Sequence, residues 1–262
     1  YASEHDALFD VLRLSEGMTH KAACASLPMG GAKSVILTPE HSTAHTEAEA
    51  RAMGRFVDSF NGAYIAAEDV GIDTQFIDWV SDETRHCMGG VTTDTGGDPS
   101  PFTSLGTFKG LKACLRHLGR DVTLEGMTVA VQGVGHVGYD FCRLVHEAGG
   151  SLVVSDISES RVERIVDEFG ARAVDPSELL TTPCDVLAPC ALGAVLGPAE
   201  IEALDTKILC GGANNILVDP ARDAADLAAR GILYAPDFVV NAGGLIWLAG
   251  LHLGYSREEL DR

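Results

Sequence analysis

The sequence is poor in basic and aromatic residues. Lysine and arginine total 19 against 38 aspartates and glutamates, the formal net charge is −19, and aromatic residues make up 6% of the 262 positions. A surface of this charge repels phosphate backbones and anionic lipids. The composition therefore argues against nucleic acid and against membranes as partners.

Paired cysteines and long apolar runs are also missing. The seven cysteines are odd in number, stand among apolar neighbours and include no CxxC pair, which favours buried thiols in a reducing compartment. No apolar run reaches the roughly 18 residues that a membrane span needs. We therefore expect a cytoplasmic protein. Because the sequence begins at Tyr1 and not at methionine, we also expect it to be part of a longer chain.

The patterns of apolar residues predict an α/β fold with two domains. In the first domain we expect helices and strands to follow one another up to a loop rich in Gly, Thr, Asp and Pro, with Asp73 capping the third helix. The predicted helices are 5–16, 46–61 and 73–87, the predicted strands are 34–37 and 63–67, and the loop is 89–101. A helix over 103–118 then leads into the second domain.

Short apolar strands alternate with helices in the second half of the chain. The strands lie in MTVAVQ, SLVVSD, CDVLAP, TKILCGGA and ILYAPDFV. This alternation predicts a Rossmann-type, doubly wound parallel sheet. We place the domains at 1–104 and 105–244, with a cleft between them.

A complete GxGxxG motif follows the first strand of the second domain. Gly133 permits a tight turn, Gly135 lets a pyrophosphate approach the backbone, and Gly138 allows the following helix to pack closely on its strand. Val134, His136 and Val137 complete the turn, and we expect them to line the cofactor as well. We expect His136 to begin the helix beside the pyrophosphate and not to act as a catalyst.

Asp156 ends the next strand, 23 residues after Gly133. A carboxylate at that place can accept hydrogen bonds from both ribose hydroxyls and repels a 2′-phosphate, which favours NAD over NADP. Two alternatives stay open. Asp156 could only cap the following helix, and Arg161, one turn further on, could meet a 2′-phosphate.

Lys33 follows two glycines and an alanine, so a substrate could reach its ammonium group. Glu68 and Asp69 come directly after a strand of small residues, where an acid could pair with a lysine and transfer protons. By residue type alone, Lys33 and Lys21 would be exposed lysines and Asp69 a turn residue.

Two other candidates carry less weight. His41 and His45 have a spacing that can bind metal on a helix, but their surroundings are typical of a loop and no third ligand is evident, so we predict no metal site. Cys190 has no base near it in the sequence, which argues against a nucleophilic role.

Six segments, in order and spread over the whole sequence, resemble the Glu/Leu/Phe/Val dehydrogenase family, in its leucine, valine and phenylalanine branch. They are GMTHKAACASLPMGGAKSVI, NGAYIAAEDVG, VQGVGHVG, CDVLAPCALGA, GGANN and YAPDFVVNAGG. The resemblance implies reversible oxidative deamination of an L-amino acid to a 2-oxo acid and ammonia, with NAD as hydride acceptor. It also implies a homo-oligomer.

The resemblance further implies a role for individual residues. Lys21 would bind the substrate carboxylate, Lys33 would be the catalytic acid and base, and Asp69 would be the second proton-transfer group. Asn215 would lie near the substrate. The nicotinamide side of the cleft would be lined by Thr103, Ala191, Asn214 and Asn241.

The sequence departs from the family pattern in three respects. Ala32 replaces a third glycine before the lysine, which is tolerable unless that position needs a positive φ. N-terminal strands with a substrate loop and C-terminal helices that return to the first domain are missing, and residues 245–262 would begin that return. Ala67, Leu245 and Leu248 would flank the substrate side chain, and their apolar character predicts a hydrophobic substrate, branched or aromatic.

Two other classes of protein stay open. A sensor that binds NAD and an amino acid without turnover would share the glycine turn, but it would not need both Lys33 and Asp69. A 2-hydroxy acid dehydrogenase would need a histidine base and an arginine that binds the carboxylate, and neither is evident.

Overall fold

The computed structural model describes residues 3–37, 45–69, 71–91, 96–191 and 196–260. The chain divides into two compact units, residues 1–99 with 244–262, and residues 100–243. The predicted boundaries, after residues 104 and 244, lie near these. The assignment of the first unit to substrate and the second to the dinucleotide stays a prediction.

The described residues form eleven helices, one 3-10 turn and eight strands. The helices are α1 (Glu4–Cys24), α2 (Glu47–Asp58), α3 (Thr74–Ser81), α4 (Ser100–His117), α5 (His136–Glu147), α6 (Glu159–Phe169), α7 (Pro198–Ala203), α8 (Pro220–Ala229), α9 (Asp237–Val240), α10 (Gly243–His252) and α11 (Arg257–Leu260). The strands are β1 (Ala66–Ala67), β2 (Cys87–Met88), β3 (Thr128–Gln132), β4 (Ser151–Ser155), β5 (Arg172–Ala173), β6 (Val186–Pro189), β7 (Ile208–Leu209) and β8 (Leu233–Tyr234), and the 3-10 turn is Leu179–Thr181. Within the described ranges, none of these helices combines the length and the apolar character of a membrane span.

Side-chain caps begin the helices of the first unit. Thr46 and Glu49 form a reciprocal capping box at the start of α2. The Asp73 carboxylate accepts a hydrogen bond of 2.8 Å from the Phe76 amide, which confirms the predicted cap of α3. The buried faces of α2 and α3 pack around β1, which pairs in parallel with β2.

Several predictions for the first unit are wrong in extent or kind. The strand predicted at 63–67 is limited to Ala66 and Ala67. Helix α1 continues past Gly17 to Cys24, because buried residues on its later turns, Lys21 and Ala22, outweigh the low helix propensity of one glycine. Residues 34–37 are not in a strand, since they have no ladder with another described strand.

The third predicted helix is too long. Helix α3 ends at Ser81, and Cys87 belongs to β2. The Thr84 hydroxyl accepts the His86 amide, and the His86 carbonyl accepts the Ala66 amide, so the backbone is already engaged in the sheet where the helix would continue.

The second unit contains a six-stranded parallel sheet with the strand order β5-β4-β3-β6-β7-β8. The predicted doubly wound sheet is therefore confirmed, with one strand, β5, that the sequence patterns did not predict. Side chains alternate along β3: Val129 and Val131 pack with one buried cluster and Ala130 with the other, which lies on the opposite face. The order of strands reverses between β3 and β6, the place where such sheets bind ligands.

Candidate active site

Lys33 forms an ion pair with Asp69 in the first unit. The two side chains are 19% and 38% exposed, so the pair is partly shielded and still open to a small molecule. Asp69 lies just beyond the end of β1 and also closes a turn, because its carbonyl accepts the Ile72 amide at 2.8 Å. The turn role and the ion pair therefore coexist in one residue.

The loop that carries Lys33 is held on both sides. A Cβ atom on Gly31 would collide with the Thr19 amide and the Ser15 carbonyl of α1, so only glycine lets the loop lie this close to the helix. On the other side, the Ser34 hydroxyl lies 2.6 Å from the Tyr64 hydroxyl. Ala32 does not have a positive φ, so alanine is tolerated at this position in place of the family's third glycine.

Glu68 is a half-buried carboxyl group next to the pair. Burial, and to a smaller extent the negative charges of Asp98, Asp69 and Asp73, together raise its pKa from 4.5 to about 7. Its Oε2 atom is buried without a hydrogen-bond partner among the described residues. A protonated carboxyl can therefore persist beside the ion pair near neutral pH.

The remaining substrate candidates of the first unit differ in exposure. Lys21, in the last turn of α1, is only 8% exposed, which contradicts the alternative of an exposed lysine. Ala67 is exposed at the end of β1. On α10, Leu245 is half-buried and Leu248 is buried.

The glycine turn of the second unit has the geometry that its sequence predicts. Gly133 has a φ of +86°, and a Cβ atom there would lie 2.7 Å from the Ala191 Cβ. A Cβ atom on Gly138 would fall on the Gly133 carbonyl oxygen, so α5 packs against the turn itself. Gly135 precedes α5, and His136 is the exposed first residue of that helix.

Asp156 is tied to the backbone through both carboxylate oxygens. One oxygen accepts the Val134 amide at 2.8 Å, and the other accepts the Ser158 amide at 2.9 Å. Asp156 thus holds the glycine turn and also orders the start of α6. A carboxylate has about four acceptor positions, so both oxygens can still accept ribose hydroxyls.

Asn241 joins two loops at the carboxyl end of the sheet. Its Nδ2 atom donates to the carbonyls of Gly212 and Ala213, at 3.3 and 3.1 Å, and to Oδ1 of Asn214 at 3.0 Å. The Oδ1 atom of Asn241, like Nδ2 of Asn215, is buried without a partner among the described residues. Asn215 also has a φ of +52°.

The buried amide atoms of Asn241 and Asn215 that have no partner among the described residues indicate whether a dinucleotide would fit here. Buried polar atoms normally have partners, and a carboxamide and ribose can supply both donors and acceptors. Val137 connects the glycine turn to the asparagines, because its Cγ1 atom lies 2.7 Å from the place of a Cβ atom on Gly212. Thr103, in the first turn of α4, lies next to Gly243. The residues present fit a dinucleotide.

The sequence patterns missed two side-chain contacts between distant segments, one in each unit. The Ser104 hydroxyl contacts the carbonyls of Ser100 and Val137, at 2.9 and 2.8 Å, and so connects α4 to the glycine turn. Trp247 donates from Nε1 to the Gly96 carbonyl at 3.0 Å. Neither residue belongs to a local motif, because both act through contacts distant in sequence.

The weaker candidates gain no support. His41 lies outside the described residues, and the described part of the chain contains no group of three residues suited to a metal ion. Burial raises the pKa of the Cys190 thiol to about 11, which opposes a nucleophilic role.

Comparison with known proteins assigns the chain to a family. Residues 1–86 match the family model "Glu/Leu/Phe/Val dehydrogenase, dimerisation domain", and residues 154–251 match "Glutamate/Leucine/Phenylalanine/Valine dehydrogenase". The chain is 46% identical to a leucine dehydrogenase of Thermoactinomyces intermedius over 98% of its own length and 70% of that protein. It is 42% identical to a valine dehydrogenase of Streptomyces virginiae, over 95% and 70% of the two chains.

Solved structures agree with these relatives. The crystal structure of L-tryptophan dehydrogenase from Nostoc punctiforme matches 99% of this chain and 74% of that one, with a TM-score of 0.77 and 42% identity. The family models, and relatives that match almost the whole of this chain, thus agree with the fold and with the predicted motifs. The chain belongs to the Glu/Leu/Phe/Val dehydrogenase family.

Proposed function

We propose that this protein catalyses the NAD-dependent, reversible oxidative deamination of a hydrophobic L-amino acid. The observation that carries the proposal is the ion pair between Lys33 and Asp69, at the end of a strand of small residues in a member of this family. Overall, the L-amino acid, NAD⁺ and water give the 2-oxo acid, ammonium, NADH and one proton.

Each polar residue of the first unit then has one role. Lys21, buried in α1, binds the substrate carboxylate through its charge. Lys33 accepts a proton from the water that attacks the substrate carbon, and Asp69 carries protons to and from the nitrogen. The contact between Lys33 and Asp69 keeps both groups oriented before the substrate arrives.

The second unit holds the dinucleotide. Gly133, Gly135 and Gly138 leave room for the pyrophosphate, and Asp156 accepts the ribose hydroxyls. Thr103, Ala191, Asn214 and Asn241 would hold the nicotinamide, and the Oδ1 atom of Asn241, which has no partner among the described residues, would be available to accept a hydrogen bond from it. Bound NAD supplies the hydride acceptor.

Apolar residues favour a hydrophobic substrate. Ala67, Leu245 and Leu248 offer no charge to a side-chain carboxylate, which would need a cation. The similar proteins bear the names of leucine, valine and tryptophan dehydrogenases, which supports branched or aromatic amino acids. One methylene in an apolar pocket changes selectivity by only about 1–3 kcal/mol, so we expect several substrates.

Self-association in the cytoplasm completes the proposal. The name of the family model over residues 1–86 refers to dimerisation. Leu8, Phe9 and Leu12 of α1 are each more than half exposed, which supports an apolar contact with another copy. Sedimentation velocity will give a mass of at least two chains if this is correct.

The reverse reaction separates the proposal from its rivals. Purified protein should oxidise NADH in the presence of 4-methyl-2-oxopentanoate only when ammonium is added. Oxidation without ammonium would indicate a 2-hydroxy acid dehydrogenase. Binding of NADH with no turnover under either condition would indicate a sensor.

A further inference from the structure

Trp247 is a buried indole that joins α10 to a segment far away in the sequence. Its side chain is 6% exposed, and Nε1 donates a hydrogen bond of 3.0 Å to the Gly96 carbonyl. The Arg257 guanidinium lies over the ring, 5.9 Å from its centroid. A buried indole N–H needs an acceptor, and here the acceptor is a backbone carbonyl. The contact therefore fixes a piece of main chain against the helix.

The same segment packs on two leucines that follow Trp247 in α10. Gly96 has a φ of +113°, and a Cβ atom there would lie 2.6 Å from Cδ2 of Leu248 and 3.2 Å from Cδ1 of Leu251. Both the backbone conformation and the lack of space require glycine at this position. Gly96 thus contacts three residues of α10, and its position limits how far Leu248 can move.

The next residue of the segment contacts the strand ends beside Asp69. The Gly97 amide donates to the Gly90 carbonyl at 3.4 Å. A Cβ atom on Gly89 would lie 3.8 Å from the Gly97 carbonyl oxygen and 3.1 Å from Cβ of Glu68, the residue that directly precedes Asp69. The segment therefore connects α10 to the end of β1 within the first unit.

We propose that Trp247 is a positioning residue that sets the selectivity for the substrate side chain, because its indole N–H, through Gly96, holds Leu248 at a fixed distance from Ala67. The inference rests on the proposed function and deepens it, since Leu248 and Ala67 are candidate neighbours of that side chain. An apolar pocket distinguishes amino acids that differ by one methylene only as far as its walls resist displacement. Without the hydrogen bond Leu248 can yield, and the pocket discriminates less.

Initial rates with Leu and with Val test the proposal, because these two side chains differ by one methylene. Trp247→Phe keeps an aromatic ring and removes the N–H. The matched control is Trp79→Phe, which alters the other tryptophan of the sequence, packed in the core of α2 and α3. In Trp247→Phe the ratio of the two kcat/KM values should move toward one by about three- to tenfold, the value of one neutral hydrogen bond, and mainly through KM. Trp79→Phe should keep the wild-type ratio.

Two further variants separate positioning from a general loss of structure. Leu251→Ala removes another contact of Gly96 without altering Trp247 or Leu248, and it should shift the ratio in the same direction. In a Leu248→Ala background, Trp247→Phe should no longer change the ratio, because the residue through which it acts has been removed. Partial unfolding does not produce this pattern, since it lowers the rates with Leu and with Val by the same factor.

Three results would overturn the inference. An unchanged ratio in Leu251→Ala, or in a folded Trp247→Phe, would show that the segment does not hold Leu248. An equal shift of the ratio with and without Leu248 would show that the indole acts through another residue. An equal loss of kcat/KM for Leu and Val would leave Trp247 a purely structural role. Each of these leaves the proposed function intact, whereas no turnover of any hydrophobic amino acid by the unaltered protein would refute the proposed function and the inference together.

Discussion

At the scale of single residues, the candidate chemistry depends on charges that compensate one another. The protein carries twice as many acidic as basic residues, yet Lys33 and Asp69 are paired and Lys21 is buried. A lysine held by a carboxylate in a shielded loop is positioned before the substrate binds, which lowers the entropic cost of reaction.

Replacement of Lys33 tests its role in proton transfer. Lys33→Ala should lower kcat by about 10²–10⁴-fold, the usual contribution of a general acid or base, and leave NAD⁺ affinity unchanged. Lys33→Arg is the matched control, because it keeps the charge for Asp69 but does not give up a proton near neutral pH. We expect Lys33→Arg to fold like the wild type and to be as inactive as Lys33→Ala; recovery of turnover in Lys33→Arg would show that the charge alone matters.

Glu68 makes stability depend on pH. Its folded pKa, about 7, lies above the ordinary value of 4.5, so the folded state holds a proton that the unfolded state has released between these values. The contribution of Glu68 is therefore fully present below about pH 4.5 and is lost as the pH rises through about 7.

Glu68→Gln should remove this dependence. At pH 8.5 we expect the variant to be more stable than the wild type by about 1 kcal/mol, after allowance for solvent screening of a half-buried group. At pH 5 the advantage should disappear. Urea unfolding at both pH values measures it, and a stability difference that does not change with pH would contradict the assigned pKa.

At the scale of elements, two adjacent glycines, Gly30 and Gly31, differ in whether a side chain would fit beside them. Gly30 has no atom within 4 Å of the place of a Cβ atom, whereas a methyl group on Gly31 would collide with α1. We expect Gly31→Ala to destabilise the protein by about 1–3 kcal/mol, as overpacking does, and to lower kcat by moving Lys33. Gly30→Ala should stay within about 0.5 kcal/mol of the wild type. Equal effects in urea unfolding would mean that the loop does not depend on its contact with α1.

Local patterns predicted the second unit better than the first. The strands β3, β4 and β6 and the glycine turn follow from short apolar runs and glycine spacing, which are local properties. The end of α3 and the absence of a strand at residues 34–37 depend on partners distant in sequence. Strand β5 consists of only two residues, and both are exposed, so it leaves no apolar run in the sequence. The spacing of apolar residues within a segment does not show which distant strand that segment pairs with.

The candidate site was predictable in its residue types and not in its electrostatics. The motifs and the family resemblance named Lys33, Asp69 and Asp156. They did not indicate the raised pKa of Glu68 or the two backbone amides that Asp156 accepts. These properties arise from burial and from contacts between segments, which a linear pattern does not contain.

At the scale of the whole molecule, two units with different chemistry share one chain. The first unit contains Lys33 and Asp69 and the apolar candidates Ala67 and Leu248; the second contains the glycine turn and the asparagines. Oxidative deamination needs both an amino-acid site and a hydride acceptor, and this division provides one unit for each of the two groups of candidate residues.

The most direct test is the initial rate of NADH formation at 340 nm and pH 10, with Leu, Val, Ile, Phe, Trp and Glu as substrates. Alkaline pH favours deamination, because the reaction releases a proton. We expect turnover with one or more of the hydrophobic amino acids and none with Glu. A rate with Glu that equals or exceeds every other, or no turnover with any of the six while NAD⁺ still binds, would contradict the proposed function.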